Sequence, residues 1–239
     1  MVELNREKST PVVRFDRLSS TSDYAKTLPL DGQDRWIVAT CQDKGRGREG
    51  RSFSSQEGGV YLSWVHYPDQ LLARDSFLLV VKAAVAVCKT LEGYGLKPEI
   101  KWPNDVLVGG KKICGILTEN LLQGDRIKRA IIGIGLNVNN DLEAELRPIA
   151  TTLFQSTGKR IPVAEVEESL MNNLLAPVAK EAYFARLGHL GEVEIIEGER
   201  RYVAIAEGVD ESGLLVITVD GRRQKKSAVE ISLRRKEKV

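Results

Sequence analysis

The chain has 239 residues, 42% of them hydrophobic and 28% charged, which excludes a disordered polyelectrolyte and predicts a packed globular protein. Its formal net charge of +2 is too small to argue for nucleic acid as a partner. Cys41, Cys88 and Cys114 are far apart and lack CxxC spacing, which argues against a disulfide framework or a zinc site and fits a reducing, cytoplasmic setting. The start is too polar for a signal peptide, and no apolar run approaches a membrane span.

In chain order, a polar lead-in reaches an edge strand near residues 12–15. Ser20, Thr21 and Ser22 then precede a short helical pattern. Each can serve as the N-cap, and the same hydroxyls and helix-start N–H groups can bind a small polar ligand group. Residues 36–41 read as a buried strand. It delivers Gln42 and then GRGREGR, residues 45–51, in which three glycines alternate with arginines and one glutamate. Glycine lets the backbone approach a ligand, and arginine offers a planar fork that suits phosphate or carboxylate. A second strand follows at 60–65, so the basic loop is tethered at both ends. That placement suits a lid, with a solvated basic loop as the alternative. Residues 75–91 are apolar nearly all round and predict a central buried helix, capped by Asp75 or Ser76 and ended by Gly93.

Residues 99–119 predict a strand to Trp102, a Pro103-Asn104-Asp105 corner and a hairpin. The hairpin pairs 105–108 with 111–119 across Gly109-Gly110. Lys112 leads an apolar strand, where a snorkelling edge charge is the ordinary use. Gly115 within that strand, like Gly133 and Gly135 in the strand of 129–140, marks a bulge or a close approach by a ligand or another segment. A short helix or turn at 151–157 precedes a long amphipathic helix over 163–187, disturbed at Pro177. Beyond Gly188–Gly191 the pattern changes to short β runs at 193–196, 201–206, 214–219 and 228–233, a small barrel-like unit. Its end is basic, with Arg222, Arg223, Lys225, Lys226, Arg234, Arg235, Lys236 and Lys238. These read as a solvated face, with RNA or an acidic partner as the alternative.

The ordered set of STS at 20–22, GRGREGR at 45–51, KWPND at 101–105, KKICGIL at 111–117 and GIGLNVN at 133–139 resembles the biotin–protein ligases (biotin–[acetyl-CoA-carboxylase] ligases) from about residue 12 to 235. The resemblance implies an α+β fold. A catalytic domain related to class II aminoacyl-tRNA synthetases, residues 1–188, precedes a small SH3-like β domain, residues 189–239. It also implies the group without an N-terminal DNA-binding domain, because the motifs begin within the first twenty residues. The implied substrates are biotin and ATP with Mg²⁺. The implied partner is a biotin carboxyl carrier protein, with no DNA or membrane partner, and a homodimer is compatible.

Residue by residue, Ser20, Thr21 and Ser22 match a biotin-binding Ser-Thr-Asn segment, Ser22 departing from asparagine. Gln42, Arg46, Gly47, Arg48, Lys112 and Gly115 fall at biotin-side positions. Arg48, Arg51, Phe53, Lys101, Asn104 and Asn137 fall on the ATP or adenylate side. Phe53 stands where a tryptophan often packs on adenine, so it keeps the ring face and loses the indole N–H. Arg48 and Lys112 are implied to neutralise the reacting phosphate, and Asp105 to orient or deprotonate the attacking amine; the metal ligands are left unassigned. Lipoate or octanoate ligation on the same fold is the nearest alternative, and a nucleic-acid-binding module is the other.

Overall fold

In a computed structural model, which describes residues 10–228 and 231–235, the chain is an α+β protein with two sheets. The first nine residues of the expected lead-in, and Lys236 and Lys238 of the basic end, lie outside the described residues. The large sheet contains β1 (Val12–Leu18), β2 (Arg35–Gln42), β3 (Val60–His66), β4 (Pro98–Lys101), β5 (Asp105–Val108), β6 (Lys111–Gln123) and β7 (Arg126–Leu136). Their spatial order is β1-β2-β3-β7-β6-β5-β4. Only β1 and β2 run parallel; every other neighbour is antiparallel.

Alternation along the strands sorts the side chains onto two faces. Trp36, Val38, Leu62, Trp64, Ile132 and Ile134 point into the main core. There they meet α2 (Phe77–Glu92), ten of whose 16 residues are buried. Ser76 occupies its N-cap position but makes no capping bond, and Gly93 ends it as expected. Burial raises the Cys88 thiol to about 12 and lifts that of Cys114 as well, so both behave as small core hydrophobes. The opposite face carries Ile37, Val65 and Ile131 under Ala25 of α1 (Thr21–Thr27). On that second face β3 and β7 also present Ser63, Gly133 and Gly135, where the side chains are small or absent. The sheet therefore has a shallow trough beside α1.

The short helix near 151–157 forms as α3 (Leu153–Thr157). The single long helix expected over 163–187 is two helices, α4 (Val163–Leu175) and α5 (Lys180–Phe184). Pro177 has no N–H, and its ring pushes the preceding residue out of the helical region. Ala176 accordingly has φ −66° and ψ 146°.

The second sheet holds β8 (Gly191–Glu197), β9 (Arg200–Val209), β10 (Leu215–Val219), β11 (Arg222–Lys226) and β12 (Ser232–Arg235) in the order β11-β10-β9-β8-β12. The expected run at 228–233 gives way to β12, four residues at 232–235. Strand β11 carries no apolar residue, so periodicity could not reveal it; as an edge strand it needs none. Trp102 sits in the core of this sheet, and its indole N–H donates to the Gly213 carbonyl at 3.0 Å. The corner after β4 is thus anchored in the small β unit.

Candidate functional site

The trough is closed at one end by a chain of polar side chains. Ser20 caps α1, its hydroxyl accepting the Asp23 N–H at 3.3 Å. The Thr21 N–H and hydroxyl both donate to Gln42 Oε1, at 2.8 and 3.1 Å. That fixes the amide, whose Nε2 donates to Ser55 Oγ at 2.9 Å. Ser55 in turn donates to the Phe53 carbonyl at 3.0 Å. Below, Ser63 Oγ lies 2.8 Å from Thr21 Oγ1 and 3.0 Å from Ser22 Oγ. Ser20 therefore serves as the N-cap, while Thr21 and Ser22 turn their hydroxyls to Gln42 and Ser63.

GRGREGR folds back on itself. The Gly47 N–H donates to the Arg51 carbonyl at 2.7 Å, and the Phe53 N–H to the Gly45 carbonyl at 2.8 Å. Glu49 adopts φ 56°, in the left-handed region. Arg46 reaches Asp23 at 2.7 Å and Glu119 at 3.2 Å, and Lys26 joins Glu119 at 2.8 Å. Arg48 pairs with Glu49 at 3.2 Å and donates to the Ala228 carbonyl of the small β unit. Its burial lowers the guanidinium pKa. Arg51 is exposed and pairs with Glu49 at 3.0 Å.

The other end of the trough is the β5–β6 hairpin. Lys112 Nζ is 2.7 Å from Asp105 and stands over the Phe53 ring, 5.7 Å from its centroid. The Asn104 amide donates to the Ile116 carbonyl, tying the corner to β6. A cavity of about 120 Å³ lies here, lined by Arg46, Gly47, Arg48, Asn104, Asp105 and Lys112 among others. A second cavity of about 20 Å³ faces Ser20, Thr21, Ser22 and Gln42. Arg46, Phe53 and Gly115 line both. The Phe53 ring fills the space left by missing Cβ atoms: one built on Gly135 would stand 2.5 Å from the ring, and one on Gly115 3.1 Å. The close approach expected at these glycines is thus made by the chain's own Phe53.

The fold gathers Ser20, Thr21, Ser22, Gln42, Arg46, Gly47, Arg48, Arg51, Phe53, Asn104, Asp105, Lys112 and Gly115 around these two cavities. It does not bring Lys101 or Asn137 to either lining. Asn137 is buried beneath the sheet end, where its amide donates to the Thr151 carbonyl at 3.2 Å and its Oδ1 accepts from Asn140. Lys101 ends β4, across from Asp105. Sequence reasoning missed Ser55 and Ser63. Ser63 is the one hydroxyl in the VYLSWV run apart from Tyr61, and its alternation with Leu62 and Trp64 was the available signal. Among the described residues no three His, Cys, Asp or Glu side chains converge as a metal site.

Residues 14–137 match the model of the biotin/lipoate A/B protein ligase family. The bifunctional ligase/repressor BirA of Bacillus subtilis (strain 168) is 34% identical over 241 residues, spanning 93% of this chain and 74% of that protein. The biotin–[acetyl-CoA-carboxylase] ligase of Paracoccus denitrificans is 31% identical, spanning 89% of this chain and 96% of that one. Among solved structures, a biotin protein ligase from Aquifex aeolicus in complex with biotin and ATP superimposes with a TM-score of 0.78 at 29% identity, covering 95% of this chain and all of that one.

Proposed function

Because the chain belongs to the biotin/lipoate A/B protein ligase family, we propose that it joins biotin to a lysine of a biotin carboxyl carrier protein through a biotinyl-5′-adenylate. The observation that carries this reading is the polarity of the trough. One end is a cluster of hydroxyl and amide groups beside Arg46, whose charge is paired with Asp23 and Glu119; the other holds Lys112 and Arg48. That layout suits a ligand with a neutral polar head, an apolar tether and a carboxylate. The Aquifex aeolicus relative, solved in complex with biotin and ATP, supports it.

In the first step a biotin carboxylate oxygen attacks the α-phosphorus of ATP, and the bond to the bridging oxygen breaks to release pyrophosphate. Both reactants are anions, so the protein's task is electrostatic. Lys112 and Arg48 stand where charge builds, and a preorganised donor of this kind contributes about 2.7–4 kcal/mol to a transition state. Mg²⁺ bound to the phosphates supplies further charge neutralisation. In the second step a carrier lysine amine attacks the acyl carbon, the amide forms and AMP leaves. Asp105, on the rim of the larger cavity, orients Lys112 and can receive the amine's proton. The folded GRGREGR loop covers the larger cavity and would shield the mixed anhydride from water. A ligand that spans the trough must move the Phe53 ring off Gly135, because the inner cavity has room for about one water.

Catalytic and β units divide near residues 188 and 189 in this reading, with Leu187 packed against both cores. The lipoate or octanoate alternative fits less well, since an alkyl chain would leave Thr21 and Gln42 facing apolar surface. A nucleic-acid module fits less well too: Arg223, Lys225 and Lys226 are already paired with Glu207, Asp210 and Glu197. Three free cysteines and the absence, among the described residues, of a helix able to cross a membrane accord with a cytoplasmic setting.

The test is transfer. With biotin and MgATP, the protein should add one biotinyl group to a single lysine of a carboxylase carrier domain, read by intact mass. Acylation of a lipoyl domain instead, with the carrier untouched, would overturn the assignment.

A further inference from the structure

Ser63 is fully buried in the middle of β3 and bonded to two hydroxyls of the site. Its surroundings fix the direction of every proton. The Thr21 N–H points at Gln42 Oε1, so that atom is the amide oxygen. Thr21 therefore spends its hydroxyl proton on Gln42. Ser63 must then donate to Thr21, and having one proton it can only accept from Ser22. The donors run in one sequence: Ser22 to Ser63, Ser63 to Thr21, Thr21 to Gln42, Gln42 to Ser55, and Ser55 to the Phe53 carbonyl. Chains of this kind polarise in one sense and are costly to break when buried.

The proton order decides what the pocket offers. Thr21 and Ser22 have spent their protons and present lone pairs. Gln42 retains one N–H, and Ser20, which accepts from the Asp23 N–H, retains its own proton. A cyclic urea has two N–H donors and one carbonyl acceptor, and complements that set. Resting on the biotin reading above, we infer that Ser63 is a positioning residue that sets this donor order and so selects a urea-bearing acid over an alkyl acid. It touches no ligand itself.

The experiment is steady-state ATP–pyrophosphate exchange by the full chain, Ser63→Ala against wild type, with biotin, desthiobiotin and octanoate as acids. The KM for biotin should rise roughly tenfold, the scale of one unsatisfied buried hydrogen bond. The KM for ATP and kcat should stay as in wild type. Desthiobiotin keeps the cyclic urea and should weaken in parallel with biotin, while octanoate use should not fall. Ser63→Cys, of similar volume and with a weak donor, should lie between; it carries the test if the alanine variant fails to fold. An unchanged biotin KM in these variants overturns the inference. So does an equal rise in the KM values for biotin and ATP, which marks a general structural role. Wild type inactive with biotin would instead overturn the functional reading, and is distinguished by that arm alone.

Discussion

Lys112→Ala should lower biotin-dependent ATP–pyrophosphate exchange by about 100- to 1,000-fold, the usual loss for one preorganised donor at a developing charge. The fold places this side chain by a specific device. Strict alternation along β6 from Gly115 would put residues 113 and 111 on the trough face. The β5–β6 register instead slips between Val106 and Leu107, pairing Val106 with Cys114 and Leu107 with Lys112. Ile113 and Cys114 both enter the main core, and Lys112 turns to the trough. A built Cβ on Gly115 would lie 3.2 Å from its Nζ. Lys112 is also held by its backbone, donating to the Ile149 carbonyl and accepting from the Thr151 N–H, each at 2.9 Å. Its pair with Asp105 is part-exposed and contributes little to stability, so the variant should melt close to wild type. Lys112→Arg should restore little, because the guanidinium is planar and larger than the point charge the site accommodates. Exchange rates with thermal melts check all three statements. Activity near wild type for the alanine variant would remove Lys112 from the chemistry.

The second large effect is expected at the start of the loop. Gly45→Ala puts a Cβ 2.2 Å from the Phe53 carbonyl oxygen and 2.5 Å from Ser55 Oγ. The first neighbour is backbone, so it cannot swing aside. The segment 53–55 must shift, and with it the bond from Ser55 to Phe53 and the support that Ser55 gives Gln42. Overpacking of this kind costs about 1–3 kcal/mol, and for a chain of this size each kcal/mol lowers Tm by about 2–4 °C. Exchange should fall by more than the melt implies, at least about tenfold, since 1.4 kcal/mol at the reacting groups is already a factor of ten. Gly32→Ala is the control. Gly32 has φ 75° and no neighbour within 4 Å, so it should lose a little stability and no activity. Equal activity loss in both variants would contradict the steric account.

Most of the scaffold was legible because its apolar periods are strong. The strands around Trp36, Val60 and Ile131, the buried helix and the Gly109-Gly110 hairpin all formed where patterning placed them. What failed to show had identifiable physical causes. β11 is an edge strand of charged and polar residues and carries no period. The split of the long helix was signalled by Pro177, but periodicity on both sides of it concealed the break. At the site, motif spacing located the loop and the hairpin. It could not show that Phe53 lies across Gly115 and Gly135, or that Asn137 spends its amide on Thr151. Those facts depend on contacts between segments more than ten residues apart. The register slip that aims Lys112 is likewise a property of two strands together.

The most direct test of the account is acid-dependent ATP–pyrophosphate exchange by the wild-type protein with biotin, lipoate and octanoate in parallel, at saturating MgATP. The polar end of the trough and the cations at its other end predict exchange with biotin and little with either alkyl acid. Exchange driven by lipoate or octanoate, with biotin inert, would contradict it.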